Sequence, residues 1–189
     1  MVNFLNGILM QHSGSIETVL AQAGLCSEPV SGAISTPIFQ TATYGHPELG
    51  KSTGYDYSRT SNPTRAVLEN VLAKLESGSK ASAFSSGMAA LSSLQVLFKP
   101  GDTILISDDL YGGTFRFFEQ ILKPWGLIPV YCDFSDVRKI VPLINSSVKG
   151  FFIETPTNPL MKITDIKKAA VNDVVAVDRG VDDREPLEP

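Results

Sequence analysis

The spacing of apolar and polar positions changes at about residue 62. The segment before it has no long periodic run and is rich in serine, threonine, glycine, proline and tyrosine, which is typical of an extended arm. Asn62 and Pro63 then supply a helix N-cap and a first-turn proline. Apolar residues at helical spacing from Val67 to Leu75 predict a helix. We therefore expect an arm over residues 1–61, followed by a folded domain.

Beyond this helix, short apolar runs alternate with segments of helical periodicity. The runs that predict buried strands are residues 81–85, 103–107, 127–132 and 150–154, with a candidate fifth strand at residues 174–177. The helical segments between them are residues 88–98, 114–125 and 136–145. Strands separated by helices of this length predict right-handed crossovers and a mainly parallel sheet. The predicted fold class is α/β, with the domain covering residues 62–170.

Composition and charge exclude several kinds of partner. The 189 residues are 43% hydrophobic and 19% charged, which is ordinary globular composition. The net charge of −4 comes from residues 171–189, which hold six acidic and two basic residues, so the rest of the chain is neutral. A neutral body without a basic stripe argues against nucleic-acid binding. No apolar run reaches the ~20 residues that cross a bilayer, so we expect no membrane partner. Cys26 and Cys132 have neither metal nor disulfide spacing, so we expect no metal site and a cytoplasmic protein.

Candidate chemistry lies in loops that follow the predicted strands. Ligands of an open parallel sheet bind outside the carboxyl ends of its strands, so these loops should converge on one edge. Ser86, Gly87 and Met88 open a helix after a strand, where free backbone N–H groups favour an anion and glycine permits its close approach. The alternative for this segment is an ordinary strand-to-helix turn with serine as its N-cap.

Two further loops carry an aromatic residue and an amide. Tyr111 precedes two glycines, so its ring can face a flat ligand and its hydroxyl can take part in proton transfer. Asn158 lies between prolines and can donate a hydrogen bond to a ligand oxygen. The alternatives are a half-buried loop tyrosine and an asparagine that serves its own turn.

Tyr57 and Arg59 lie in the predicted arm. Residues two apart in an extended segment point to the same side, so a hydroxyl and a guanidinium can grip one phosphate. An arm of this kind is better placed to reach the site of another subunit than its own. The alternative is a solvated loop.

Four motifs together resemble one enzyme family. The motifs are YSRTSNPTR at residues 57–65, SSGMAA at 85–90, DLYGGT at 109–114 and ETPTNP at 154–159. In order and spacing they are similar to the transsulfuration enzymes of cysteine and methionine metabolism, which include cystathionine γ-synthase and the cystathionine lyases. The resemblance covers about residues 15–168. Within the family, the motifs look most like those of bacterial cystathionine γ-synthase or β-lyase relatives.

The resemblance implies a fold, a cofactor and residue roles. The fold is the N-terminal part of a fold-type I (aspartate-aminotransferase-like) domain, with helices on both faces of the sheet, and the cofactor is pyridoxal 5′-phosphate. Gly87 and Met88, with Ser86, would hold the phosphate, and Tyr57 and Arg59 would reach it from a neighbouring subunit. Tyr111 would stack on the pyridine ring and assist proton movement, which makes it the candidate catalytic residue. Asn158 would contact the 3-hydroxyl oxygen. Self-association as a dimer of dimers and a small amino-acid substrate are also implied.

The family's reaction is γ-replacement or β/γ-elimination on homoserine esters, cystathionine or related sulfur amino acids, which requires a Schiff-base lysine after a Ser-x-Thr motif. None of the ten lysines has that setting, so the catalytic lysine is predicted to be absent from these residues. Asp178 ends an apolar run as the family's pyridinium partner does, but the segment before it is too short and Arg179-Gly180 departs from the pattern.

The last stretch, residues 171–189, is an acidic tail that departs from the family and resembles a frameshift or truncated product. We expect the family's C-terminal domain to be missing and the chain to be inactive alone. The alternative is a non-catalytic fragment that binds cofactor or pairs with a relative.

Overall fold

A computed structural model describes residues 15–25, 28 and 30–170, together with the backbone of residues 175–178. The chain divides into two compact units, with unit 1 ending at Phe84 and unit 2 beginning at Ser85. The predicted boundary between arm and domain, at residues 61 and 62, stays a prediction.

Unit 1 contains two helices joined by irregular chain. Helix α1 spans Ile16–Ala21 and helix α2 spans Pro63–Leu75, and the two helices pack against each other. Helix α2 confirms the sequence prediction, and its N-cap is Asn62, whose side chain accepts the Thr64 N–H. Helix α1 was not predicted because six residues are too few to show helical periodicity.

Unit 2 is built on a four-stranded parallel sheet. Its strands are β1 Thr103–Ser107, β2 Ile128–Cys132, β3 Val148–Glu154 and β4 Val175–Asp178. Their order across the sheet is β2-β1-β3-β4, and every neighbouring pair is parallel. The parallel sheet and these four strand positions confirm the prediction. The strands could be predicted because strands covered on both faces carry nearly continuous apolar runs.

Short helices connect the strands. Helix α3, Gly87–Ser93, continues into a 3₁₀ turn at Leu94–Leu97. Helix α4, Gly112–Phe117, is joined by a π-helical turn at Phe118–Leu122 to helix α5, Lys123–Trp125. Helix α6, Val137–Ile140, runs into a 3₁₀ turn at Val141–Leu143, and helix α7 spans Ile166–Ala169.

Both faces of the sheet are buried. Ile104, Ile106 and Phe152 pack with α3, α4 and the π-helical turn on one face. Leu105 and Ile153, which alternate with them along the strands, pack with α6 and α7 on the other face. The predicted helices on both faces of a parallel sheet are confirmed.

One predicted strand is wrong. The run at residues 81–85 forms no strand in the described part of the chain. Instead, the Ala83 N–H donates to the Glu69 carboxylate of helix α2 at 3.0 Å. The run contains no β-branched residue, and alanine and serine are weak strand formers, so its apolar character alone did not make it a strand.

Candidate functional site

The strands β1 and β3 are neighbours in the sheet, so the loops that follow them start side by side. Ile106 pairs with Phe152, and at the carboxyl ends the Glu154 N–H donates to the Ser107 hydroxyl at 3.1 Å. The backbone of Asp178 pairs with Glu154 at the end of β4. Three strands therefore end at this edge, as the rule for open parallel sheets requires of a ligand site.

The Glu154 carboxylate brings Tyr111 and Asn158 together. One of its oxygens accepts the Tyr111 N–H at 2.9 Å and the other accepts the Asn158 N–H at 3.1 Å. Glu154 itself is only 3% exposed. Two of the predicted site residues are thus fixed to one buried group on the same edge of the sheet.

Asp109 holds the same two loops from the other side. Its Oδ2 accepts hydrogen bonds from the Thr157 hydroxyl and from the Leu160 N–H, the latter at 2.9 Å. Thr157 in turn accepts the Lys162 N–H at 2.8 Å. Asp109 and Thr157 are both buried. The peptide bonds before Pro156 and Pro159 in this loop are cis.

An ion pair lies beside the Asn158 loop. The Lys162 Nζ contacts the two Asp108 carboxylate oxygens at 2.9 and 3.0 Å and Asp133 at 3.9 Å. Its hydrogen bond to Asp108 raises the pKa of the Lys162 amine. The pKa of Asp133 is lowered, first by the Ser135 hydroxyl that donates to it and to a smaller degree by Lys162. Lys162 is consequently paired with carboxylates, which favour its protonated form.

Helix α3 begins at the segment 86–88, as predicted. Ser86 is its N-cap, and the Ser86 Oγ accepts the Ala89 N–H at 3.1 Å. Gly87 and Met88 are the first two residues of the helix. The N–H groups at these positions have no partner within a helix. Helices α3 and α4 lie beside each other, and Met88 packs against the core group that contains Leu110. The structure therefore brings Ser86, Gly87 and Met88 to the neighbourhood of the Tyr111 loop.

The side chains of Tyr111 and Asn158 are accessible. Tyr111 lies at the start of helix α4 with half of its surface exposed, and Asn158 is also exposed. The Tyr111 ring lies directly over Gly113: a methyl group at Gly113 would fall 3.0 Å from the ring Cδ1 and closer still to Cε1. Gly113 is therefore required for this ring position.

Tyr57 and Arg59 are brought together with each other in unit 1. The Arg59 guanidinium lies 4.9 Å from the centre of the Tyr57 ring, and both side chains are exposed. Their loop is tied to helix α2, because Arg65 donates to the Ser58 carbonyl at 3.2 Å and to the Thr60 carbonyl at 2.9 Å. Tyr57 and Arg59 thus stand on a braced segment with a phenol and a guanidinium on one side.

The predicted site residues did not include Glu154, Asp109 or Gly113. Glu154 and Asp109 belong to the quoted motifs, and the signal for them is a carboxylate at or just beyond a buried strand end. Among the described residues, no group of three or more histidine, cysteine or acidic side chains is placed to hold a metal ion. No helix in that part of the chain is long and apolar enough to span a membrane.

Comparison with known proteins identifies the family. The family described as Cys/Met metabolism PLP-dependent enzyme matches residues 17–178. The chain belongs to this family. The cofactor of the family is pyridoxal phosphate. The match includes strand β4 and Asp178, beyond residue 171, where the acidic tail was predicted to begin.

Individual family members of different activity are similar to the chain. It is 49% identical over 158 residues to the cystathionine gamma-synthase/O-acetylhomoserine (thiol)-lyase of Bacillus subtilis, covering 84% of this chain and 42% of that protein. It is 42% identical over 154 residues to a cystathionine beta-lyase of Lactococcus lactis, covering 82% and 40%. The crystal structure of cystathionine gamma-lyase from Lactobacillus plantarum complexed with L-serine has a TM-score of 0.79 and 39% identity, covering 88% and 45%. The chain thus spans less than half the length of these relatives.

The geometry fits the cofactor of the family. Open space lies next to the Gly87 backbone, since a Cβ built there meets no atom within 4 Å. The exposed Tyr111 ring offers an aromatic face, and the exposed Asn158 amide offers a donor at the same edge of the sheet. A phosphate, a ring and a ring oxygen therefore each have a matching group in unit 2.

Proposed function

We propose that Ser86, Gly87, Met88, Tyr111 and Asn158 bind pyridoxal phosphate. The observation that carries the proposal is the Glu154 carboxylate, which holds Tyr111 and Asn158 at one edge of the sheet. Backbone N–H groups of Gly87 and Met88 would take the phosphate, and the Tyr111 ring would stack on the pyridine ring. The Asn158 amide would donate to the ring's 3-oxygen.

The proposed activity of a protein that contains this segment is transsulfuration chemistry. It would be γ-replacement or β/γ-elimination on homoserine esters, cystathionine or related sulfur amino acids in the cytoplasm. The bound cofactor supplies an electron sink for the carbanion formed at the substrate. Tyr111 would move a proton at the substrate, since the residue is half exposed at the site edge and carries a hydroxyl. The similarity to a synthase, a β-lyase and a γ-lyase leaves the class of reaction broad.

Direct binding of the cofactor by the 189-residue chain tests the site. Fluorescence titration with pyridoxal phosphate should show saturable binding that Tyr111→Ala and Asn158→Ala weaken. Tyr131 is half-buried, and its hydroxyl donates to Glu119 away from the site loops, so Tyr131→Phe serves as an aromatic control. Equal binding by the wild type and both site variants would refute the site.

We further propose that these residues alone do not turn over substrate, because no lysine among them has the family's Ser-x-Thr setting. Borohydride reduction with pyridoxal phosphate, followed by peptide mass spectrometry, tests this. We expect scattered and substoichiometric lysine labelling. Stoichiometric labelling at a single lysine would show that a cofactor-linked lysine is present.

A second proposed role is pairing through the predicted arm, residues 1–61. It is supported by the exposed Tyr57 and Arg59 pair and by the exposed apolar side chains Val30, Ile34 and Ile38. In this proposal Tyr57 and Arg59 bind the cofactor phosphate of a second subunit, in a homotetramer built as a dimer of dimers. Pull-down of an intact relative by the chain tests the idea, with Arg59→Ala expected to reduce capture. Undiminished capture by that variant would remove the proposed contact.

A further inference from the structure

Each of the two loops at the site edge gives a buried carboxylate to the other. Asp109, on the loop that carries Tyr111, accepts from Thr157 and from the Leu160 N–H on the opposite loop. Glu154, which begins the loop that carries Asn158, accepts the Tyr111 N–H across the gap and the Asn158 N–H on its own side. The exchange is reciprocal, so neither loop can shift without breaking bonds to the other.

Burial makes these contacts strong. Glu154 is 3% exposed and Asp109 is 9% exposed, so both carboxylates have lost most of their water and depend on their protein partners. A buried polar group that loses its hydrogen-bond partner is left unsatisfied, which costs about 1–3 kcal/mol. The carboxylates therefore act on the site through the segments they hold, while the accessible groups remain Tyr111 and Asn158.

We propose that Asp109 and Glu154 form a clasp that sets the position of Tyr111 relative to Asn158, and that Glu154 is the positioning residue for recognition of the cofactor ring. The inference rests on the proposed cofactor site. It goes beyond that proposal because it separates recognition of the ring, which depends on the clasp, from recognition of the phosphate at Gly87 and Met88, which does not.

The geometry favours a carboxylate at residue 154. Two N–H donors converge on it, and each needs its own acceptor oxygen. Glutamine has nearly the same shape, but it offers one acceptor and turns an NH₂ donor toward the second N–H. Glu154→Gln therefore keeps one of these two hydrogen bonds and loses the other, while the Asp109 contacts remain.

Amide hydrogen exchange measured by NMR on the ligand-free chain tests the clasp directly. In Glu154→Gln, exchange at Tyr111 or Asn158 should rise roughly tenfold, from the loss of one buried hydrogen bond. Glu119→Gln is the matched control, since Glu119 also joins two partners, Lys123 and Tyr131, away from the loops. Unchanged exchange at both site amides in folded Glu154→Gln would overturn the clasp.

Ligand binding tests whether the clasp serves the ring. Pyridoxine 5′-phosphate, which has no aldehyde, and inorganic phosphate are titrated separately. Glu154→Gln should weaken pyridoxine 5′-phosphate binding roughly tenfold and leave inorganic phosphate affinity unchanged. Equal affinity for pyridoxine 5′-phosphate, combined with faster loop exchange, would overturn the positioning role. A wild-type chain that binds neither ligand would refute the cofactor site, while the exchange result would still decide the clasp.

A second variant keeps the test independent of how well Glu154→Gln folds. Thr157→Val removes the hydroxyl that donates to Asp109 and accepts the Lys162 N–H, with almost no change in volume. It should speed exchange at Lys162 and reduce affinity for pyridoxine 5′-phosphate severalfold, again without an effect on inorganic phosphate. Full ring affinity in a Thr157→Val chain with a loosened loop would contradict the proposal.

Discussion

Gly113 offers the sharpest single test of how Tyr111 is placed. The Tyr111 ring occupies the space that a side chain at residue 113 would need, with Cδ1 at 3.0 Å and Cζ at 3.1 Å from the position of a Cβ. Gly112, one residue earlier in helix α4, has room: a Cβ there meets only the end of Arg116, at 3.5 Å. The two glycines share a helix turn and differ in their relation to the ring.

Both glycine-to-alanine changes favour the helix, by roughly 0.5–1 kcal/mol each in an ordinary helical position. In Gly112→Ala that gain should appear as an unchanged or slightly higher free energy of unfolding. In Gly113→Ala the methyl group displaces the ring, so the stacking contribution to ligand binding is lost. Stacking is worth about 0.5–1.5 kcal/mol, which corresponds to roughly a twofold to tenfold weaker Kd.

The assay is a pair of measurements on each variant. Urea unfolding gives the free energy of unfolding, and titration with pyridoxine 5′-phosphate gives the Kd. We expect Gly113→Ala to lose affinity while it remains folded, and Gly112→Ala to retain the wild-type Kd. Wild-type affinity in Gly113→Ala would show that the ring position over this glycine has no part in binding.

Three further predictions concern other parts of the chain. Asn62→Ala should lower the free energy of unfolding by about 2 kcal/mol, because the side chain both caps α2 and donates to the Phe39 carbonyl at 3.0 Å. Asn62→Asp keeps the cap, so its loss of unfolding free energy should be about 1 kcal/mol smaller. Equal losses for the two variants in urea unfolding would contradict this. The pKa of Asp133 is lowered in the folded chain, so its contribution to stability is present above its unfolded pKa of about 3.9 and is lost as the pH falls through the folded pKa. Asp133→Asn should therefore flatten the acid side of a plot of unfolding free energy against pH. An unaltered plot would refute the link. Burial raises the pKa of the Cys132 thiol to about 12. Because the thiolate is the form that reacts, alkylation of Cys132 by iodoacetamide at pH 8 should be about a thousandfold slower in the native chain than in urea. Comparable rates would contradict its burial.

The parallel sheet could be predicted because its strands are covered on both faces and appear as short apolar runs. The same rule misassigned residues 81–85, where alanine and serine gave an apolar run without strand propensity. Helix α1 escaped detection because it is only six residues long. The helical pattern at residues 114–125 was correct in position, yet the periodicity gave no sign of the π-helical turn at Phe118–Leu122.

The site was predictable as an edge of the sheet, and its internal bonding was not. Loops after parallel strands meet at one edge by topology, which is why Tyr111 and Asn158 were expected to be close. The bond from Tyr111 to Glu154 depends on β1 lying next to β3, although β2 separates them in the sequence. Strand order is set by tertiary packing, so a local pattern of residues carries no record of it.

In our proposal, three separate segments of unit 2 bind one pyridoxal phosphate at a single edge of the sheet. NMR titration of the isotope-labelled chain with pyridoxine 5′-phosphate tests it most directly. We expect the amide signals of Gly87, Tyr111 and Asn158 to shift together with one Kd, while those of Leu105 and Ile106 in the core stay in place. Shifts confined to one of the three segments, or to the opposite ends of the strands, would contradict it.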